Sequence, residues 1–151
     1  MQFSENIYPY IGNDTIRLYQ DIAEVKKTLT ADGIPFVEEI WSSENETTPN
    51  PWNVLVVENV MSLFFARNGK LFKCVFWENY RGRLPNGITT GMCIDDAQKL
   101  DASLLFDEWN EDYESSSGYW IEDDAENGRI ISISVFIKEL LDENKFDMCD
   151  W

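Results

Sequence analysis

The chain predicts an α+β fold of two tandem units, each a helix plus a β-hairpin, whose strands form an antiparallel sheet packed against helices. Three observations carry this. Ile16 to Lys27 lies without gaps on Ile88 to Lys99, and each stretch opens extended and runs into a helical apolar period. Each is followed by apolar segments flanking an Asn-Gly pair, at Asn68-Gly69 and at Asn127-Gly128. With 44% apolar and 14% aromatic residues in 151 positions, the chain holds enough material for a core and too much for an acidic disordered segment. The organisation expected is a single domain over 1–151, with a diverged internal repeat at 14–78 and 86–138 and an acidic C-terminal tail at 139–151.

In the first unit Asp21 is placed to cap a helix, with Glu24 three residues on and Ile22, Val25 and Leu29 on one apolar face. In the second unit Cys93 takes the cap position, a poor substitute for Ser or Asp, and Ile94, Ala97 and Leu100 form the face. The first hairpin runs from Val60 to Ala66 and from Lys70 to Trp77, with Asn68-Gly69 suited to a type I′ turn. The second runs from Tyr119 to Asp123 and from Arg129 to Lys138, with Ile131, Ile133, Val135 and Ile137 expected on one face. Ser42 to Trp52 is polar and proline-containing, which predicts an exposed loop. Asn79 to Gly87 breaks both periodicities and is the expected joint.

Charge narrows the function. Twenty-eight Asp and Glu against twelve Lys and Arg give a formal charge of -16. Such a surface attracts basic partners and repels phosphate backbones and anionic membranes, so nucleic acid and membrane are not expected ligands. No apolar run reaches the roughly 18 residues of a membrane span, and Met1 to Glu5 carries no leader pattern, so a cytoplasmic protein is expected. Five basic residues fall between Arg67 and Arg83, a patch read as ordinary surface or as a self-association site.

Much chemistry is excluded by composition. The chain has no histidine, which removes Ser-His and Cys-His nucleophilic sites and histidine-bearing metal sites. The three cysteines, Cys74, Cys93 and Cys149, are too far apart for a CxxC motif, and Asp95, Asp96 and Asp101 oppose thiolate formation at Cys93. The glycines are scattered singly, with no phosphate loop. A carboxylate pair working as acid and base can be drawn at Asp107 and Glu108, or across Glu122 to Asp124, but no pair is singled out. Glu122 to Gly128 opens like a calcium loop yet lacks its alternation and closing Glu. No catalytic residue, cofactor or metal is assigned.

The positive signal is Asp101 to Asn127, with ten acidic residues, no Lys or Arg, and Trp109, Tyr113, Tyr119 and Trp120 interleaved. Aromatic anchors beside charge characterise protein interfaces. The expected contact residues are Asp107, Glu108, Trp109, Glu111, Asp112, Tyr113, Glu114, Trp120, Asp123 and Asp124. Tyr119 and Trp120, adjacent on a strand, must face opposite ways, so one of them belongs to the core.

Gly87 to Asp101, Phe106 to Trp109 and Gly128 to Val135 resemble immunity proteins of bacterial toxin systems, in particular those that protect against contact-dependent growth inhibition toxins. The same order of glycine-containing strand, helix and hairpin is also similar to the repeat of the beta-lactamase inhibitor protein and of small envelope-assembly lipoproteins. The immunity resemblance implies a one-to-one complex with a basic toxin domain, commonly a nuclease, whose cleft is covered by an acidic, aromatic surface. The carboxylates of the contact set would then mimic substrate phosphates or pair with Lys and Arg. The alternative function is an acidic adaptor or regulatory subunit of a stable complex.

Overall fold

The computed structural model describes residues 1–42 and 51–151. Helix α1 (Ile22–Ala31) precedes strands β1 (Val37–Trp41), β2 (Trp52–Val57), β3 (Met61–Phe65) and β4 (Leu71–Trp77). Helix α2 (Ile94–Leu100) precedes β5 (Leu105–Asp107), β6 (Asp112–Ser115), β7 (Tyr119–Asp123) and β8 (Ile130–Phe136). A 3-10 turn at Lys138–Leu141 and helix α3 (Glu143–Met148) follow. All eight strands join one sheet in the order β1-β2-β3-β4-β8-β7-β6-β5, every pairing antiparallel. The α+β class and the antiparallel sheet are thus as the sequence predicts.

Each of α1 and α2 is followed by four strands, where one hairpin was expected. The predicted hairpins are β3–β4 and β7–β8. The added strands carry weak signals: β1 is exposed along its length, β5 has three residues, and β6 reads Asp-Tyr-Glu-Ser. Most of the expected polar loop, residues 43–50, lies outside the described residues, while Trp52 opens β2 and packs on Phe64 and Phe72.

Asp21 caps α1 by accepting from the Ala23 N–H at 2.9 Å, and Val25 and Leu29 are fully buried. Cys93 stands at the cap of α2 with no side-chain hydrogen bond, as its chemistry implies. The Asn68-Gly69 turn is not type I′. Gly69 alone has positive φ (79°), and the Gly69 N–H donates to Ala66 O at 2.9 Å, a type I turn followed by a left-handed glycine. The regular alternation expected of β8 also fails at its start. A bulge opposite Glu122 and Asp123 pairs Ile130 with Asp123, so Ile130 enters the core and Ile131 stays half-buried.

The register sorts side chains onto two faces. One face carries Leu55, Val57, Met61, Leu63, Cys74, Phe76, Ile133, Val135, Tyr119 and Ile121, all 4% exposed or less. They share a single core with Val25 and Leu29 of α1 and Ile94 and Ala97 of α2. Cys74 is sealed there, and burial pushes its thiol far up. The second face carries Trp41, Val56, Ser62, Phe64, Lys73, Val75, Trp77, Ser134 and Trp120, most of them only half covered.

Local contacts lock the ends. Asn13, fully buried, donates to Tyr80 Oη at 3.0 Å and accepts from the Thr15 and Ile16 N–H groups, while Tyr80 donates to Glu5 O, tying the N-terminal segment to the joint. Gly118 has φ of 93°, and the Tyr10 ring sits where a Cβ would project, so no other residue fits that turn. The acidic C-terminal tail folds back: Phe146 is fully buried against Phe72 at 4.9 Å and stacks on Trp151.

Asp101, at the end of α2, joins the helix to the sheet. It accepts from Ser115 Oγ at 2.5 Å, from Ser103 Oγ at 2.7 Å and from Tyr119 Oη. Burial pushes its carboxyl up, but the hydroxyl donors of Ser115, Tyr119 and Ser103 outweigh that and hold it at about 2. Its contribution is present at neutral pH and is lost as pH falls through about 2. Asp101→Asn is expected to cost about 1–2 kcal/mol, from weakened charge-assisted hydrogen bonds. The urea midpoint at pH 7 checks this, and an unchanged midpoint contradicts it.

Candidate functional site

The second face of the sheet is a trough. Trp41 on edge strand β1 and Asn110 in the β5–β6 turn line the same cavity of about 370 Å³, together with Phe64, Trp77, Asp112 and Trp120. In a flat sheet β1 and β6 would lie six strand spacings apart, roughly 29 Å. The sheet is therefore strongly curled, with this face concave. A second cavity, of about 600 Å³, shares Trp41, Phe64 and Trp77 and extends along Glu39, Val56, Glu58, Glu78 and Ile131.

The trough exists because of which residues stand on β8. Ser132 pairs with Trp77 of β4, and Ser134 lies between Val75 of β4 and Trp120 of β7. Small side chains on the middle strand leave room between two indoles. Trp77 is fixed by donating Nε1–H to Ser62 Oγ at 3.0 Å, and Trp120 by tilted ring contact with buried Phe136 at 4.1 Å. Trp41 meets Phe64 edge-on at 5.2 Å, and the Lys73 ammonium lies over that Phe64 ring at 4.4 Å. The floor is a set of rigid rings, at small cost in side-chain entropy on binding.

One wall is acidic in an unusual way. Asp107 and Asp112 are directly opposite on β5 and β6, Glu122 of β7 stands one residue beyond the Tyr113–Ile121 pair and lines the same cavity as Asp112, and Glu114 is two residues from Asp112 on the same face. Like charges paired across strands are destabilising. None of the four has an ion-pair partner among the described residues. Asp107 is occupied in its turn, accepting from the Trp109 and Asn110 N–H groups, and Glu114 accepts from Asn110 Nδ2 at 3.0 Å. Asp112 is not: its Oδ1 is buried without a donor. Burial, then Glu114, then Asp107 and Glu122 push the Asp112 carboxyl up to about 7, and when protonated it donates to Glu114.

The sheet divides the contact residues predicted from sequence. Asp107, Asp112, Glu114 and Trp120 share the trough face. Glu108, Trp109 and Glu111 stand at the β5–β6 turn, where Trp109 is 93% exposed and Glu111 has φ of 56°. Tyr113 and Asp123 point to the helix side: Tyr113 packs on Phe106 at 5.1 Å and lies near Asp95 of α2. Asp124 is in the β7–β8 turn, away from the trough. Tyr119 is buried and Trp120 faces outward, so the alternation divides that pair as the sequence requires.

Sequence reasoning missed Trp41, Phe64, Val75 and Trp77, which lie outside the acidic segment. A signal existed in Leu71 to Trp77, where both alternating sets are apolar except for Lys73, as in a strand with two faces to cover. Among the described residues no group of three Cys, Asp or Glu is disposed to hold a metal ion. No helix among them is long and apolar enough to cross a membrane. Compared with family models, curated proteins and solved structures, the chain matches none.

The Asp112 geometry fixes a pH dependence. An unfolded Asp ionises near 3.9, so between roughly pH 4 and 7 the folded protein keeps a proton that the unfolded chain has released. The site's contribution to stability therefore falls as pH rises through that window, and above about 7 the ionised carboxyl is a standing cost. Asp112→Asn should stabilise the protein at pH 8 by about 1 kcal/mol, the full shift being discounted for solvent access, and by much less at pH 5. Urea midpoints at the two pH values measure this. Equal effects at both would contradict the assignment.

Proposed function

We propose that this protein is a stoichiometric inhibitor of the immunity type, whose concave sheet face receives a cationic toxin domain, with a nuclease as the expected partner class. The observation that carries this reading is the cross-strand row Asp107, Asp112, Glu122 beside an aromatic trough. A row of unpaired carboxylates costs stability in the free protein, and a guanidinium or ammonium from a partner relieves that cost on binding. The charge of -16 supplies long-range attraction for fast encounter. The rings of Trp41, Trp77 and Trp120 supply buried contact area that slows release. The interface is thereby centred on the trough, with the β5–β6 turn at its rim, and the protein is not assigned a catalytic role.

We also read the two helix-plus-strand halves as diverged copies of one unit. The support is a set of matched backbone hydrogen bonds. The Tyr19 N–H donates to Leu71 O and the Leu71 N–H to Gln20 O, while the Gly91 N–H donates to Ile130 O and the Ile130 N–H to Met92 O. The Ile22 N–H donates to Gly69 O as the Ile94 N–H does to Gly128 O, at 2.9 and 2.8 Å. These pairs keep the gapless alignment of Ile16 to Lys27 on Ile88 to Lys99.

The reading is tested by affinity capture of the tagged protein from its source cells, followed by assay of the captured partner. The expected result is one cationic protein in one-to-one ratio, whose activity is abolished in the complex and restored on release. The double variant Asp112→Lys, Glu122→Lys should lower the association rate about tenfold and reduce its salt dependence. A partner that binds both forms at the same rate, or whose activity is untouched in the complex, contradicts the proposal.

A further inference from the structure

The opposite charge also has a place in this molecule. Arg81, Arg83 and Arg129 line one groove of about 610 Å³ beside Thr89 and Gly91, with Asp96, which pairs with Lys99, as its one carboxylate. In a chain with 28 carboxylates, none of these three arginines lies within ion-pair distance of one among the described residues. Two are aimed by the backbone: Arg83 Nη1 donates to Gly87 O and Arg129 Nη1 to Gly91 O, each at 3.0 Å. The remaining N–H groups of each guanidinium stay available for an oxyanion.

The corresponding place in the first half shows what such a site holds. Asp21 bridges Lys70 as Cys93 bridges Arg129, and the Lys70 N–H donates to Asn68 Oδ1 as the Arg129 N–H does to Asn127 Oδ1. Lys70 and Asn68 are occupied: Lys70 Nζ donates to the main-chain oxygen of Trp151 at 2.9 Å and Asn68 Nδ2 at 3.2 Å. Arg67 Nη2 donates to Asp147 O at 2.7 Å. A basic hairpin tip there holds the C-terminal stretch of polypeptide by its main-chain oxygens. In the second half Gly91 stands where Tyr19 packs on Trp151 in the first, so the ring that narrows the first site is missing.

We infer that the groove of Arg81, Arg83 and Arg129 is a docking site for an acidic polypeptide segment of a partner protein. The occupant is a partner and not a second copy, because two chains of charge -16 repel and the acidic C-terminal stretch of each is already docked in its own first half. The site's existence and the acidic character of its ligand rest on the unpaired guanidiniums, and the ligand's being polypeptide rests on the reading of the halves as copies. Neither depends on the toxin-inhibitor assignment of the trough.

The test uses the full chain and a fluorescently labelled hexaglutamate peptide in roughly 0.1 M salt, where charges beyond about 10 Å are screened and local pairing remains. Saturable binding to the wild type is expected, weakened at least about tenfold by Arg81→Glu, Arg129→Glu, a loss of about 1.4 kcal/mol. Both arginines are exposed, so the variant should melt with the wild type, and hexalysine binding at the trough should survive in it. Absence of hexaglutamate binding, or equal binding by the variant, overturns the inference. Inorganic tripolyphosphate competing as strongly as hexaglutamate would assign the groove to free polyanions and overturn it equally.

Discussion

Everything specific to this molecule depends on the pairing of β4 with β8. Five residue pairs, from Lys73 with Phe136 to Trp77 with Ser132, join strands that belong to different halves of the chain and fuse two four-stranded sheets into one. That pairing sets both faces at once. On one side it aligns Cys74 with Val135 and Phe76 with Ile133, the middle of the buried core. On the other it puts Ser132 and Ser134 between the indoles of Trp77 and Trp120. A slip by one residue would exchange the faces, bury Lys73 and Trp77 under the helices and expose Cys74 and Phe76.

The trough carries the cost that follows from this placement. Core packing can stabilise a fold with spare capacity, and here part of it offsets a row of carboxylates that neighbouring strands hold in register. Proteins that violate local pairing rules do so where function requires it. Asp101 shows the alternative within the same acidic segment. With hydroxyl donors from Ser103, Ser115 and Tyr119 its charge is fully accommodated, whereas Asp112 has a buried oxygen with no donor. Only the second kind of carboxylate gains when a cation arrives.

How much of this was legible in the sequence varies with the range of the cause. Helix α1 and the two Asn-Gly hairpins were readable because capping, apolar period and turn glycine act within a few residues. The burial of Tyr119 against the exposure of Trp120 was readable from alternation alone. Strands β1, β5 and β6 were not, since edge strands gain their pairing from neighbours and carry little pattern of their own. The acidic segment drew attention to Asp112 and Trp120, which line the trough, and proximity in sequence also brought in Tyr113, Asp123 and Asp124, which the pleat and the turn send elsewhere. The other half of the trough, Trp41, Phe64 and Trp77, comes from strands 43 to 79 residues upstream of Trp120 and is assembled only by the β4–β8 junction. The bulge at Ile130 and Ile131 is invisible to periodicity for the same reason, because the partner strand decides which residue is left unpaired.

The most direct measurement of the central claim is oxidative footprinting of the tryptophans in the free protein and in its complex with the captured partner. If the concave face is the interface, Trp41, Trp77 and Trp120 become protected on binding while Trp151, held against Phe146 on the C-terminal segment, reacts as before. Undiminished oxidation of Trp41, Trp77 and Trp120 in a saturated complex would place the partner elsewhere and contradict the account.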